Sequence, residues 1–171
     1  MRSSELNESE YHPYFKGYIE NVSNVSLLEA LEQGFRETSV FFKNIPEEKV
    51  EYRYAEGKWT PKEILLHLVD AERVFCYRAL QFSRSLNVSL EGFDENEFVN
   101  NSRANSRSLE NILSEYNAVR KATIILFKSF ENDVLKRRGK VNGTLVSIAA
   151  IGFILAGHEI HHRNILIERY L

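Results

Sequence analysis

Apolar residues recur at alternating steps of three and four along four stretches of the chain, and strict polar–apolar alternation is scarce. The first stretch spans about Ser26 to Asn44, with Leu27, Leu28, Leu31, Phe35, Val40 and Phe42 supplying much of its apolar content. Ser26 followed by Glu29 has capping-box spacing, and Pro46 follows the end. The second stretch is announced by Trp59-Thr60-Pro61-Lys62-Glu63, in which Thr60 caps, Pro61 fits the first helical position and Glu63 completes the box. It is expected to continue to about Arg84. The third begins near Ser108 and runs to about Phe130; the fourth follows Asn142-Gly143-Thr144 and runs to the C-terminus.

Four helices of this length predict an all-α four-helix bundle with short helical turns in the connections. Residues 1–25 read as an N-terminal arm and 26–171 as the bundle domain. The connection from Leu86 to Arg107 contains Glu91-Gly92-Phe93-Asp94-Glu95-Asn96-Glu97-Phe98-Val99, which suits a brief helix packing Phe93 or Phe98 over the bundle. Glu51-Tyr52-Arg53-Tyr54 suits a short strand or extended piece.

The face on which each histidine falls changes this picture from architecture to chemistry. Stepping back from His162 by fours and threes gives His158, Leu155, Ile151 and Ile148, and stepping forward gives Ile165. Two histidines one turn apart therefore occupy an otherwise apolar seam. His161 falls on a different stripe, with Ile154, Gly157, Asn164 and Glu168, which turns polar towards the C-terminus. His67 shares a stripe with Ile64, Ala71, Val74 and Arg78, and also faces the core. His12, in the arm, reads as a surface residue. An imidazole buried without a partner is destabilising by about 1–3 kcal/mol. A divalent cation held by His67, His158 and His162 would satisfy all three rings at once.

The string Gly157-His158-Glu159-Ile160-His161-His162 also fits H-E-x-x-H, in which two histidines bind zinc and the glutamate is the general base. Only nine residues follow His162, and their one acid, Glu168, lies on the His161 face of the same helix. No third ligand can reach the metal from there, and no strand that could hold a peptide is apparent. A peptidase is excluded on these grounds.

Bulk properties narrow the remaining classes. A net charge of −2 gives no electrostatic footprint for nucleic acid or anionic membrane, and Lys136-Arg137-Arg138 reads as a solvated turn. The most apolar run, Leu145 to Ala156, is shorter than the roughly 20 residues a membrane span needs and reads as a buried core helix. The N-terminus lacks the apolar core of a secretory signal, and the single Cys76 cannot form an internal disulfide; both suit a cytoplasmic protein. Cys76 itself reads as a packed core thiol. Asp70, at i+3 from His67, and Glu159, beside His158, are the candidate carboxylates for orienting ligand rings. For both the competing reading is an ordinary solvated or paired acid, with Arg73 or Arg163 as partner. Trp59, Tyr18 and Tyr116 are candidates to line an entrance.

The ordered set "YRYAEGKWTPKEILLHLVDAERVFCYRAL", "GFDENEFV" and "ILAGHEIHHRNILIERYL" resembles the DinB-like superfamily, also called the DinB/YfiT-like metalloenzymes, over nearly the whole chain after the arm. The resemblance implies a four-helix bundle holding zinc or nickel through three histidines, which map onto His67, His158 and His162. It also implies a homodimer and a small-molecule substrate, with low-molecular-weight thiols such as bacillithiol or mycothiol serving some members. The expected activity is thiol S-transfer to a small electrophile, with no catalytic acid or base assigned. A metal-dependent small-molecule hydrolase and a non-catalytic metal-binding bundle are the alternatives.

Overall fold

The computed structural model describes residues 1–171. Three 3-10 turns (Ser3–Glu5, Glu8–Glu10 and Pro13–Phe15) lead into the short helix α1 (Lys16–Glu20). Helices α2 (Leu27–Lys43) and α3 (Pro61–Arg84) follow, then a two-residue strand β1 (Ser89–Leu90) and the short helix α4 (Glu95–Asn101). The remainder comprises α5 (Leu109–Lys128), α6 (Asn132–Leu135), the hairpin β2 (Arg138–Val141) and β3 (Thr144–Ser147), and α7 (Ile148–Arg169). No helix is long and apolar enough to cross a membrane.

The long helices start where their capping residues place them. Ser26 accepts from the Glu29 amide and Thr60 from the Glu63 amide, and each glutamate bonds back to its cap's own amide. Ser108 caps α5 through the Asn111 amide. The four helices form a bundle in which α2 packs on α5 and α7, and α3 packs on the same two. α2 and α3, and likewise α5 and α7, thus lie across the diagonals, a topology that needs the long connections between them.

Three features depart from the sequence expectation. Glu51–Tyr54 forms no strand and is turn and irregular backbone. The brief helix in the connection starts later, at Glu95, where Asp94 caps the amides of Asn96 and Glu97; it buries Val99, and Phe93 precedes it and packs over the core. The apolar run at Leu145 is not helical from its start: Thr144–Ser147 pair antiparallel with Arg138–Val141, and β1 adds in parallel on the other side of β2. Asn142 and Gly143, with φ of 47° and 79°, make the two-residue turn of this hairpin. Arg138 therefore belongs to a strand, and Arg137 donates to the Ser83 carbonyl at 2.8 Å, so only part of the basic cluster is a solvated turn.

The interior consists of two apolar clusters separated by one polar layer. One cluster includes Leu31, Phe75, Ala79, Phe127, Phe153 and Ala156, the other Phe42, Leu65, Val69, Ile112, Tyr116 and Leu166. On each long helix a buried polar residue marks the boundary: Thr38, Glu72, Arg120 and Glu159. Arg120, only 1% exposed, places Nε and Nη2 on the two oxygens of Glu72 at 2.8 Å each, and Nη1 on Glu159 at 2.7 Å. Glu159 also accepts from the Tyr116 hydroxyl at 2.7 Å and from Thr38 at 3.1 Å.

Removing the shared cation from such a layer leaves two carboxylates buried together. Arg120→Met, which keeps much of the side-chain volume, is expected to lower the free energy of unfolding by about 3–5 kcal/mol in urea titration. Adding Glu72→Gln to that variant should recover part of the loss; a loss below about 1 kcal/mol in the single variant would show that the layer does not hold the helices together.

Candidate metal centre

His67, at the second turn of α3, and His158 and His162, one turn apart on α7, point into the groove between those two helices. They are 5%, 9% and 9% exposed, buried as their stripes predict. The Nε2 atom of His158 lies 3.1 Å from Nε2 of His67 and 2.9 Å from Nε2 of His162. One donor atom from each of the three rings lies within 4.8 Å of the others. His161 is half-buried at the rim, its ring centroid 5.0 Å from that of Tyr18, and takes no part in the cluster. His12 is exposed and caps the turn at Pro13 through Nδ1.

This convergence fits a cation better than it fits hydrogen bonding. A neutral ring nitrogen carries either one proton or one lone pair. His158 Nε2 can therefore satisfy one of its two neighbours well, but not both. A tetrahedral ion with bonds of about 2.0–2.1 Å would separate its ligand nitrogens by about 3.3 Å, close to the observed contacts. Burial pushes the His67 ring down to about 4. It holds His158 and His162 well below the usual histidine range, with the neighbouring rings adding to the effect. At neutral pH all three rings are thus uncharged and keep lone pairs for a metal.

Neither candidate orienting carboxylate touches a ligand ring. Asp70 lies 3.7 Å from Arg73 and makes no hydrogen bond to His67. Glu159 is committed to Arg120, Tyr116 and Thr38, because the 100° step from His158 carries it out of the groove and into the bundle interior. Its partner is Arg120; Arg163 instead bonds Thr38 and Glu37. The Nδ1 atom of His162 is buried without a hydrogen-bond partner.

The cluster opens onto a cavity of about 240 Å³. Trp59 and Tyr18 line it as expected, with Trp59 4.8 Å from His67 and Tyr18 5.3 Å from His158, centroid to centroid. Tyr116 does not, being fully buried in the charged layer. Tyr14 and Phe15 in the arm, with Phe75 and Phe93, complete the aromatic walls and were missed by the sequence reading. Glu72 and Arg120 were missed too, although each interrupts an apolar stripe: Leu65, Leu68, Glu72, Phe75, Ala79 on α3 and Ile112, Tyr116, Arg120, Thr123, Phe127 on α5. The arm reaches the site because α1 packs directly on α7. A Cβ at Gly157 would stand 1.8 Å from the Tyr18 carbonyl oxygen, so only glycine permits this approach.

The sequence profile of the DinB superfamily matches residues 30–166, a range that holds all three histidines and the charged layer. The chain belongs to the DinB superfamily. Among solved structures, this DinB chain is similar to YfiT from Bacillus subtilis, described as a probable metal-dependent hydrolase with an unusual four-helix bundle topology. The two share 14% identity with a TM-score of 0.75, over 96% of this chain and 90% of YfiT. It is also similar to a mycothiol-dependent maleylpyruvate isomerase, at 11% identity and a TM-score of 0.67, over 82% of this chain and 60% of that one. At these identities the likeness shows a shared fold. No curated protein matches the sequence significantly.

The depressed histidines give a pH signature to the metal-free protein. The unfolded chain takes up protons near pH 6.5, whereas folded His67 resists protonation to about 4. The unfolded state therefore binds more protons in this window, and stability must fall as the pH drops through it. The urea midpoint of chelator-treated protein is expected to be lower at pH 5 than at pH 7.5. An unchanged midpoint would mean that the rings accept protons in the folded state.

Proposed function

We propose that this protein is a divalent-metal-dependent enzyme that joins a low-molecular-weight thiol to a small electrophile. The observation that carries this reading is the exposure of three converging imidazole nitrogens to an aromatic-lined cavity that holds no cysteine of its own. The one cysteine cannot serve: Cys76 lies 3.2 Å from the Thr123 hydroxyl, away from the cavity, and burial pushes its thiol up to about 12. A thiol nucleophile must therefore arrive with a ligand.

His67, His158 and His162 would hold the ion, zinc or nickel being suited to an all-imidazole set. When bound, such an ion favours the thiolate over the thiol and so supplies the nucleophilic form at neutral pH. Trp59 and Tyr18 flank the cluster, fix the ligand rings by contact and limit water around the reacting groups. Phe15, Phe75 and Phe93 provide apolar surface for the body of the substrate. The membership of the DinB superfamily and the fold shared with a thiol-dependent isomerase support this reading. A hydrolase is the second reading, favoured by the fold likeness to YfiT, which covers 96% of this chain; the same centre would then lower the pKa of water.

Metal analysis of purified protein should find about one divalent ion per chain, lost in His67→Ala, His158→Ala and His162→Ala and largely retained in His161→Ala. Metal-loaded protein incubated with a panel of thiols and a chromogenic electrophile should form thioether faster than chelator-treated protein. Equal rates for every thiol, together with metal-dependent turnover of an ester, would replace the transferase by the hydrolase.

A further inference from the structure

A second cavity, of about 410 Å³, adjoins the first and shares Tyr14, Phe15, Phe75, Phe93 and Glu95 with it. Its most unusual wall is Arg78. Three cationic side chains are buried in this protein: Lys62, Arg78 and Arg120. Lys62 is paired with Glu51 at 2.6 Å, and Arg120 with Glu72 and Glu159. Arg78, only 5% exposed, has no carboxylate within ion-pairing distance. Its sole hydrogen bond runs from Nη2 to the Glu91 carbonyl, at 3.1 Å. Its guanidinium instead lies against two rings, 5.0 Å from the centre of Phe75 and 5.7 Å from that of Phe93.

A guanidinium has five N–H donors in a planar fork, and Arg78 leaves most of them without a protein acceptor beside an open cavity. Burying a cation is unfavourable unless an anion compensates it, and the one carboxylate that acts on Arg78, the exposed Glu95, does so from beyond ion-pairing distance. The rings of Phe75 and Phe93 compensate in part through their negative faces, and also hold the fork in one orientation. Arg78 stands eleven residues after His67 on α3, which is close to three full turns. It is therefore on the same side of the helix as the metal cluster, about 16 Å further along the axis. Between them on this side lie Ala71 and Phe75, one small and one apolar, so the path from cluster to arginine is uncharged on α3.

We propose that Arg78 is an anchor for a carboxylate carried by the small-molecule ligand, with the ligand's apolar body between Phe15, Phe75 and Phe93 and its reactive end towards the histidines. This deepens the small-molecule reading above and rests on it for the position of the reactive end. The other polar side chains at this cavity are His12, Tyr14, Asn142, Thr144 and the exposed Glu95. Glu95 is the one negative charge facing the site, acts on Arg78, and opposes a bound carboxylate. A carboxylate suits the fork in preference to a neutral polar group because paired N–H donors meet its two oxygens.

The test compares 4-phenylbutyrate with 4-phenylbutanol by isothermal titration calorimetry on the full chain, after chelator treatment so that no metal competes for the acid. The acid should bind about tenfold more tightly than the alcohol, and Arg78→Met should remove this preference while leaving the alcohol's affinity within about twofold. Glu95→Gln, a surface change that leaves the core intact, should strengthen the acid and leave the alcohol unchanged, which keeps the test decisive if Arg78→Met unfolds. Equal affinities in the native chain, no measurable binding of the acid, a preference that survives Arg78→Met, or a Glu95→Gln variant with unaltered acid affinity would each overturn the proposal. Because the titration needs neither metal nor turnover, failure of the transferase reading would leave its result intact.

Discussion

The guanidinium of Arg120, held between Glu72 and Glu159, is the interaction on which the arrangement of the bundle depends. It engages α3, α5 and α7 together, and it reaches α2 directly at the Leu31 carbonyl, 3.3 Å away, and through Thr38 on Glu159. Apolar packing above and below it is forgiving, because volume-conserving changes of rotamer and register lose little energy. A buried guanidinium is not forgiving. If α5 slid by one turn, Arg120 would leave its carboxylates, and three charges would be stranded in a low-dielectric interior. The layer therefore sets the register of helices whose apolar faces alone would tolerate several.

Register matters here because the candidate metal centre is built across two helices that are not joined by a short turn. His67 belongs to α3 and the His158/His162 pair to α7, with the whole of α4, α5, α6 and the hairpin between them in the chain. Nothing local holds the three rings at contact distance. Glu72, five residues after His67, and Glu159, next to His158, both terminate on the same arginine, so the clamp lies close to both sets of ligands. The arm adds a third constraint from outside, where the contact of Tyr18 with Gly157 brings aromatic side chains against the ring of His158.

How much of this was legible in the sequence follows from what each feature depends on. Helix starts were legible because capping is local: Ser26, Thr60 and Ser108 act within a single turn. The histidine faces were legible because periodicity survives over the four turns around His158 and His162. The hairpin was not, since Leu145–Ser147 continue the apolar run of α7 and only their pairing with β2 makes them a strand. Glu159 and Asp70 stayed open between a ligand ring and an ordinary partner, because spacing alone does not choose: Glu159 meets Arg120 from another helix, and Asp70 lies 3.7 Å from Arg73. Arg120 and Glu72 each announce themselves as charges in apolar stripes, but a stripe on one helix does not name its partner on another. The aromatic walls supplied by Tyr14 and Phe15 depend on the arm folding back, which no periodicity in residues 1–25 encodes.

The same geometry explains why an H-E-x-x-H string can stand in a helix without a protease glutamate. In a helix, adjacent residues are separated by about 100°, so a glutamate next to a ligand histidine points to the metal only if the ligand lies at the edge of the site. Here His158 lies near its middle, in contact with both other rings, and the step to Glu159 passes out of the groove and into the core between α2 and α5. There the carboxylate accepts from Arg120, Tyr116 and Thr38, away from the histidine nitrogens. A glutamate in that position serves the centre from behind, by fixing the helix that carries two of its ligands.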